Sequence, residues 1–185
     1  MKLKLCIFYA CIFLFATHVA AQQEYTGKTS SIQVEMLGAH NLMGVSFDQR
    51  FMESNHGLGY KVGIGVGYSK DSWKFIPFKF NTWGGFPNQT IVSVPIQLNY
   101  LLGKNAHKFE LGAGVTPFYS SYKFNEKSNI NAYGTFATGY RYNNLPKRFV
   151  LTAGLMYGFK LPGLKMNYVD KFFWQPYLSV GYILK

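Results

Sequence analysis

The sequence predicts an all-β fold, an eight-stranded antiparallel transmembrane up-and-down β-barrel, and three observations carry that prediction. Segments of about ten residues alternate large apolar side chains with small or polar ones, as membrane-crossing strands do. Their connections alternate between short and long. The polar face holds too few charges to meet water. A period of two is the side-chain spacing of a strand, and no segment of helical period competes with it.

Taken in chain order, the first element is not a strand. Lys2 and Lys4 precede an apolar run at 5–16 and then Val19-Ala20-Ala21, the pattern of a signal peptide occupying 1–21 and cleaved after Ala21. The run is shorter than the roughly 20 residues of a spanning helix. Cys6 and Cys11, the two cysteines of the chain, both lie in it. The mature chain is therefore expected to lack disulfides, thiol nucleophiles and thiolate metal ligands. Residues 22–30 are expected to form a short periplasmic segment and 31–185 one barrel domain, since no linker or long-period repeat divides them.

The stretch SIQVEML at 31–37 supplies a first strand, the residues at 38–40 a tight outer turn, and a second strand ends at Phe51. The third, GLGYKVGIGVGYS at 57–69, places glycines at 57, 59, 63, 65 and 67 opposite Leu58, Tyr60, Val62, Ile64, Val66 and Tyr68. A phosphate-binding loop is excluded: the third glycine of G-x-G-x-x-G falls on Val62, no G-x-x-x-x-G-K-[ST] occurs, and no helix pattern follows. The same alternation runs over 92–100, 109–119, 149–159 and 174–184, and one further strand lies between the connections at 123–131 and 143–147. Short turns at 53–57, 103–107 and 143–147 interleave with longer loops at 70–89, 123–131 and 160–173. Short turns on the periplasmic side and longer loops outside require the strand ending at Phe51 to run inward. The strand at 31–37 must then precede it, giving an even count of eight with both termini periplasmic.

Period two alone does not say which face points outward, but charge does. Between the apolar residues lie glycine, serine and glutamine with six charges: Glu35, Asp48, Arg50, Lys61, Glu110 and Arg141. A soluble exported barrel binding a hydrophobic ligand would need a charged exterior, and six charges over eight strands do not supply one. Three acids and three bases suit a narrow lumen, where an unpaired charge costs several kcal/mol. The apolar face then meets lipid. Aromatic residues agree, with Phe51, Tyr100, Phe109, Tyr142, Phe149 and Tyr182 at one interface and Tyr68, Tyr119, Phe159 and Trp174 at the other. Eight strands leave an interior just wide enough for side chains, so the glycines are expected to make room for longer residues from facing strands, Tyr177 among them. The barrel is expected to be plugged and non-conducting.

The chain carries a formal net charge of +11 and is 18% aromatic but only 15% charged. Its lysines are scattered through loops without a stripe or reader motif, which points away from nucleic acid and toward an anionic surface, outer-membrane lipid and lipopolysaccharide. The loop KDSWKFIPFKFNTWGGFPNQ interleaves Trp73, Phe75, Phe78, Phe80, Trp83 and Phe86 with Lys74 and Lys79. This mixture is a candidate surface for lipid headgroups, a sugar-phosphate, or an external protein or glycan; alternatively, it prolongs a hairpin above the membrane.

Catalytic candidates are sparse. His40 is expected at the outer turn, with His56 and His107 at periplasmic turns, so the three do not share a metal or a triad. Ser46, Asp48 and His40 mark the one neighbourhood for a lipid-modifying enzyme, yet six residues separate His40 from Ser46, about 20 Å along a strand. Glu35, Asp48 and Glu110 are better read as partners of Arg50, Lys61 and Arg141 than as an acid–base pair. No enzyme activity, cofactor or metal is expected.

The stretches VEMLGAHNLMGVSFDQRF, VPIQLNYLLGKNAHKFELGAGV and WQPYLSVGYILK resemble the small eight-stranded outer-membrane β-barrel proteins of Gram-negative bacteria, of OmpA/OmpX-type architecture. The resemblance spans residues 31–185. It implies an outer-membrane location and passage through the barrel-assembly machinery, and it carries no catalytic signature. Such barrels usually end on an aromatic residue; this chain ends Ile183-Leu184-Lys185, with Tyr182 the aromatic nearest that position.

Overall fold

The structure, a computed structural model, describes residues 28–69, 89–103, 106–121, 129–162 and 172–184. The strands are β1 Ser30–Leu37, β2 Met43–Arg50, β3 Gly57–Ser69, β4 in two segments, Gln89–Ser93 and Ile96–Leu102, β5 His107–Ser120, β6 Ile130–Asn144, β7 Phe149–Lys160 and β8 Phe172–Leu184. The two segments of β4 share one register: β3 meets them through Gly65↔Ser93 and Val62↔Ile96, and β5 through Phe118↔Ser93 and Val115↔Ile96. The ladder pauses where Pro95 has no N–H to give, so the segments are a single strand, as the alternation over 92–100 predicts. Every pairing is antiparallel, each strand meets the next, and β1 meets β8 from Ser30↔Leu184 to Leu37↔Tyr177. The sheet closes on itself. Closure leaves no sheet edge with backbone groups facing hydrocarbon, the condition lipid imposes.

The predicted faces hold along all eight strands. Ile64, Leu98 and Phe136 are more than half exposed on the outside, while Ser31, Ser93 and Thr152 on the inside are wholly buried. The two aromatic bands also form, with Phe51, Tyr100, Phe109 and Tyr182 exposed near one end and Tyr68, Tyr119 and Trp174 near the other.

Filling of the lumen divides it into two halves. Toward the end where β1 begins and β8 ends it is charged and polar. Toward the opposite end lies an apolar cluster of Ile91, Phe118, Tyr133, Met156 and Tyr177, with Ala39 and Ala137 packed against it. Ala39 comes from the β1–β2 connection, a single 3₁₀ turn, Gly38–His40. That turn bends into the barrel: Tyr133 Oη donates to the Ala39 carbonyl (3.4 Å) and Gln175 Nε2 to the Asn41 carbonyl (3.0 Å). The bend needs left-handed backbone at Leu37 (φ 62°, ψ −150°), Gly38 (φ 60°) and Asn41 (φ 67°). Gly38 adopts such angles readily; Leu37 lies in a region that is nearly glycine-only, and Asn41 (ψ −84°) in the rare γ-turn region, each at a cost on the order of 1–3 kcal/mol.

Candidate functional site

The period-two argument places Glu35, Asp48, Arg50, Lys61, Glu110 and Arg141 on one face, and the closed sheet gathers all six into the lumen, each at most 5% exposed. Asp48 is the hub. Its carboxylate accepts from Arg50 Nη2 (3.0 and 2.9 Å), Arg141 Nη2 (3.1 Å) and Asn99 Nδ2 (2.6 Å). Glu110 extends the network toward Arg141 Nη1 (3.6 Å) and Lys61 Nζ (3.5 Å), and Asn99 Nδ2 donates to it at 3.2 Å. Lys61 Nζ also donates to Glu35 Oε2 (3.3 Å) and lies 5.7 Å from the centre of the Tyr177 ring. Buried charges persist when each has opposite charge and its remaining hydrogen bonds arranged around it. Arg50 on β2, Arg141 on β6 and Asn99 on β4 converge on Asp48 from three strands, so one carboxylate ties distant parts of the wall together.

Three features of the lumen differ from the sequence expectation. Lys108 on β5 is also buried, 2% exposed, and registers with Arg141. Among the described residues the lumen thus holds four lysine and arginine side chains against three acids, and not three against three. Lys108 shares parity with Glu110, so the signal was present.

His40 is the second correction. It is not a surface turn residue: the turn carries it inward, it is 1% exposed, and its Nδ1 lies 2.8 Å from Glu35 Oε1. Its ring lies over Gly44 and Gly63, where an added Cβ would collide with it, while the turn backbone at His40 covers Gly65. The 20 Å separation from Ser46 also falls, because the point a Gly63 Cβ would occupy touches His40 Nε2 and is 3.1 Å from Ser46 Cβ. Both His40 Nε2 and Ser46 Oγ are buried with no hydrogen-bond partner among the described residues. Asp48 does not join them, since it is taken up by Arg50, Arg141 and Asn99; the acid beside His40 is Glu35.

The third concerns the glycines. They make room for long side chains, but these come from neighbouring strands and the inserted turn more than from across the barrel. Arg50 on β2 covers Gly59, its direct register partner on β3, and Gln97 on β4 covers Gly112 on adjoining β5. Tyr177 on β8 fills the space before Gly154, its partner on β7, and reaches Gly139 beyond it.

The aromatic loop residues Trp73, Lys74, Phe75, Phe78, Lys79, Phe80, Trp83 and Phe86 lie outside the described residues, as does the segment 1–21 read above as a signal peptide. Among the described residues no group of three or more His, Cys, Asp or Glu is placed to hold a metal ion.

No protein-family model and no curated protein matches this sequence. Solved structures are similar. The N-terminal β-barrel domain of Pseudomonas aeruginosa OprF aligns over 85% of this chain and 98% of its own, with a TM-score of 0.55 at 13% identity. Neisserial surface protein A aligns over 85% and 94% (TM-score 0.44, 17% identity), and Ail, the attachment invasion locus protein of Yersinia pestis, over 85% and 99% (0.43, 16%). At these identities the likeness is one of architecture, and the OprF domain carries it: this chain has the fold of the small eight-stranded outer-membrane β-barrels.

Proposed function

We propose that this protein is an integral outer-membrane barrel with a structural or surface-binding role, exported by a cleaved signal peptide and closed to ion flow. The observation that carries this reading is the inversion of a soluble protein's layout. Large apolar side chains such as Ile64, Leu98 and Phe136 face outward around the wall, while Asp48, Glu110, Arg50 and Arg141 are sealed inside. Only a hydrocarbon surround makes that arrangement favourable, since an apolar exterior in water forfeits the burial that drives folding.

A lumen filled by paired charges in one half and apolar side chains in the other supports non-conduction. Reconstituted into a planar bilayer, the purified protein should give no steady single-channel conductance; a stable ohmic pore would overturn that part of the reading. Extracted protein should fractionate with outer membranes and migrate faster unboiled than boiled. Recovery in the soluble periplasmic fraction would remove the membrane reading altogether.

The proximity of Ser46 to the Glu35–His40 pair bears on the lipid-modifying alternative, because a serine hydrogen-bonded to an acid-oriented histidine would be an activated nucleophile, but His40 Nε2 and Ser46 Oγ make no hydrogen bond among the described residues. Burial weighs against it: His40 and Ser46 are each 1% exposed, and an acyl ester has to reach the serine. The binding role is assigned to the aromatic and basic loop at 70–89, facing lipopolysaccharide or an external protein or glycan. Deleting 72–87 should leave a barrel that still inserts but no longer binds lipopolysaccharide or whole-cell ligands. Failure of the deleted chain to insert would contradict that division of labour.

A further inference from the structure

At the end where β1 begins and β8 ends, the β6–β7 turn presents two adjacent cations, Lys147 and Arg148, on the flank of the lipid-facing wall. Arg148 has left-handed backbone (φ 53°). Its amide donates to Leu145 O (3.1 Å) and its carbonyl accepts from Ile183 N–H (2.8 Å), so both backbone groups are fixed. From there the guanidinium reaches outward, and Nη1 donates to Tyr182 Oη at 3.2 Å. Tyr182 is half exposed on the apolar face and registers with the outward Phe149. Lys147 is exposed beside it, its amide held by Asn144 Oδ1 (3.0 Å).

Among the described residues no carboxylate pairs with either cation. None stands in the turn or in the adjoining stretches 140–151 and 180–184. A guanidinium with four N–H groups left over, anchored at the rim of a hydrocarbon band by an interfacial tyrosine, has the geometry for bidentate hydrogen bonds to a phosphate. We propose that Arg148 and Lys147 form a binding site for the phosphodiester of an anionic phospholipid in the periplasmic leaflet, with Tyr182 positioning the guanidinium and Phe149 packing against the upper acyl chain. This rests on the membrane reading above, which puts the end where β1 begins and β8 ends at that leaflet. Lipid charge there meets two cations that no side-chain carboxylate among the described residues balances.

The test uses the refolded full-length mature barrel in mixed micelles, titrated with fluorescent phosphatidylglycerol or with phosphatidylcholine of the same chains. The wild type should prefer the anionic lipid. That preference should fall about fivefold for each cation removed in Lys147→Gln and Arg148→Gln, fall partially in Tyr182→Phe, which keeps both charges, and stay unchanged in Lys160→Gln at the opposite end of the barrel. Folding of each variant is checked independently by heat-modifiable migration. An unchanged preference in a folded Lys147→Gln/Arg148→Gln double variant would overturn the proposal. So would displacement by excess inorganic phosphate, which would make the site one for a free anion. A wild type that folds in micelles but shows no preference removes this site and leaves the membrane reading intact; one that neither folds in micelles nor inserts removes both.

Discussion

The two halves of the lumen solve one packing problem with opposite chemistry. Near the end where β1 begins and β8 ends, Asp48 gathers Arg50, Arg141 and Asn99 into a network in which every member depends on its neighbours. Toward the other end, Ile91, Phe118, Tyr133 and Met156 fill the space mainly by apolar packing, helped by a turn pushed in from the mouth that Tyr133 Oη holds through Ala39 O. An apolar filling loses stability in proportion to the volume removed. A charged one loses it in steps, because deleting one partner strands the others in a medium that cannot solvate them. The inserted turn links the two regimes, since Ala39 packs in the apolar half while the next residue, His40, reaches Glu35 and through it Lys61.

The largest effect should follow from breaking the charged half at its hub. Asp48→Ala leaves Arg50 and Arg141 without their shared acceptor and should cost about 3–5 kcal/mol, read as a lowered urea midpoint in lipid vesicles by tryptophan fluorescence. Replacing Asp48, Arg50 and Arg141 together by apolar residues of similar size should cost far less than Asp48→Ala alone, and a triple variant as unstable as the single would refute the stranded-charge account. Next in size, Phe118→Ala in the apolar half should cost about 3 kcal/mol through the cavity it opens; a loss below about 1 kcal/mol would show that half to be loosely filled. Gly63→Ala tests the junction. Its methyl has to displace the His40 ring or the wall behind it, for about 1–3 kcal/mol, and His40→Ala in the same chain should return part of that loss. The smallest effect is a gain. Leu37→Gly relieves the strained backbone at the entry to the turn and should raise stability by about 1 kcal/mol, whereas a destabilised Leu37→Gly would mean that the leucine side chain outweighs its backbone.

Most of the wall and half of its filling are legible in the residues. Strand number, faces and aromatic bands follow from period two and from connection lengths, because lipid outside and a narrow lumen inside impose contrasting demands on alternate positions. The same parity brings Glu35, Asp48, Arg50, Lys61, Glu110 and Arg141 inside, and it includes Lys108 once applied to the end of β5. His40 escapes it because a turn has no period, and only the backbone angles at Leu37, Gly38 and Asn41 decide that the loop bends inward. The partners of the glycines escape it for another reason. Parity says that Gly59 faces in, but only the register that sets Arg50 beside it names its occupant.

The pairing of β1 with β8 joins the first strand to the last, and it has a kinetic consequence. Hairpins between consecutive strands close short loops, but this seam closes a loop that runs from Ser30 to Leu184, the slowest kind of contact to form. Ser179 Oγ donating to Gln33 Oε1 (2.9 Å) and Gln175 Nε2 donating to Asn41 O both span that seam. They form only when the cylinder shuts. Weakening them should therefore leave the early hairpins intact, delay the final ring closure, and make β1 the first strand to detach when the barrel opens.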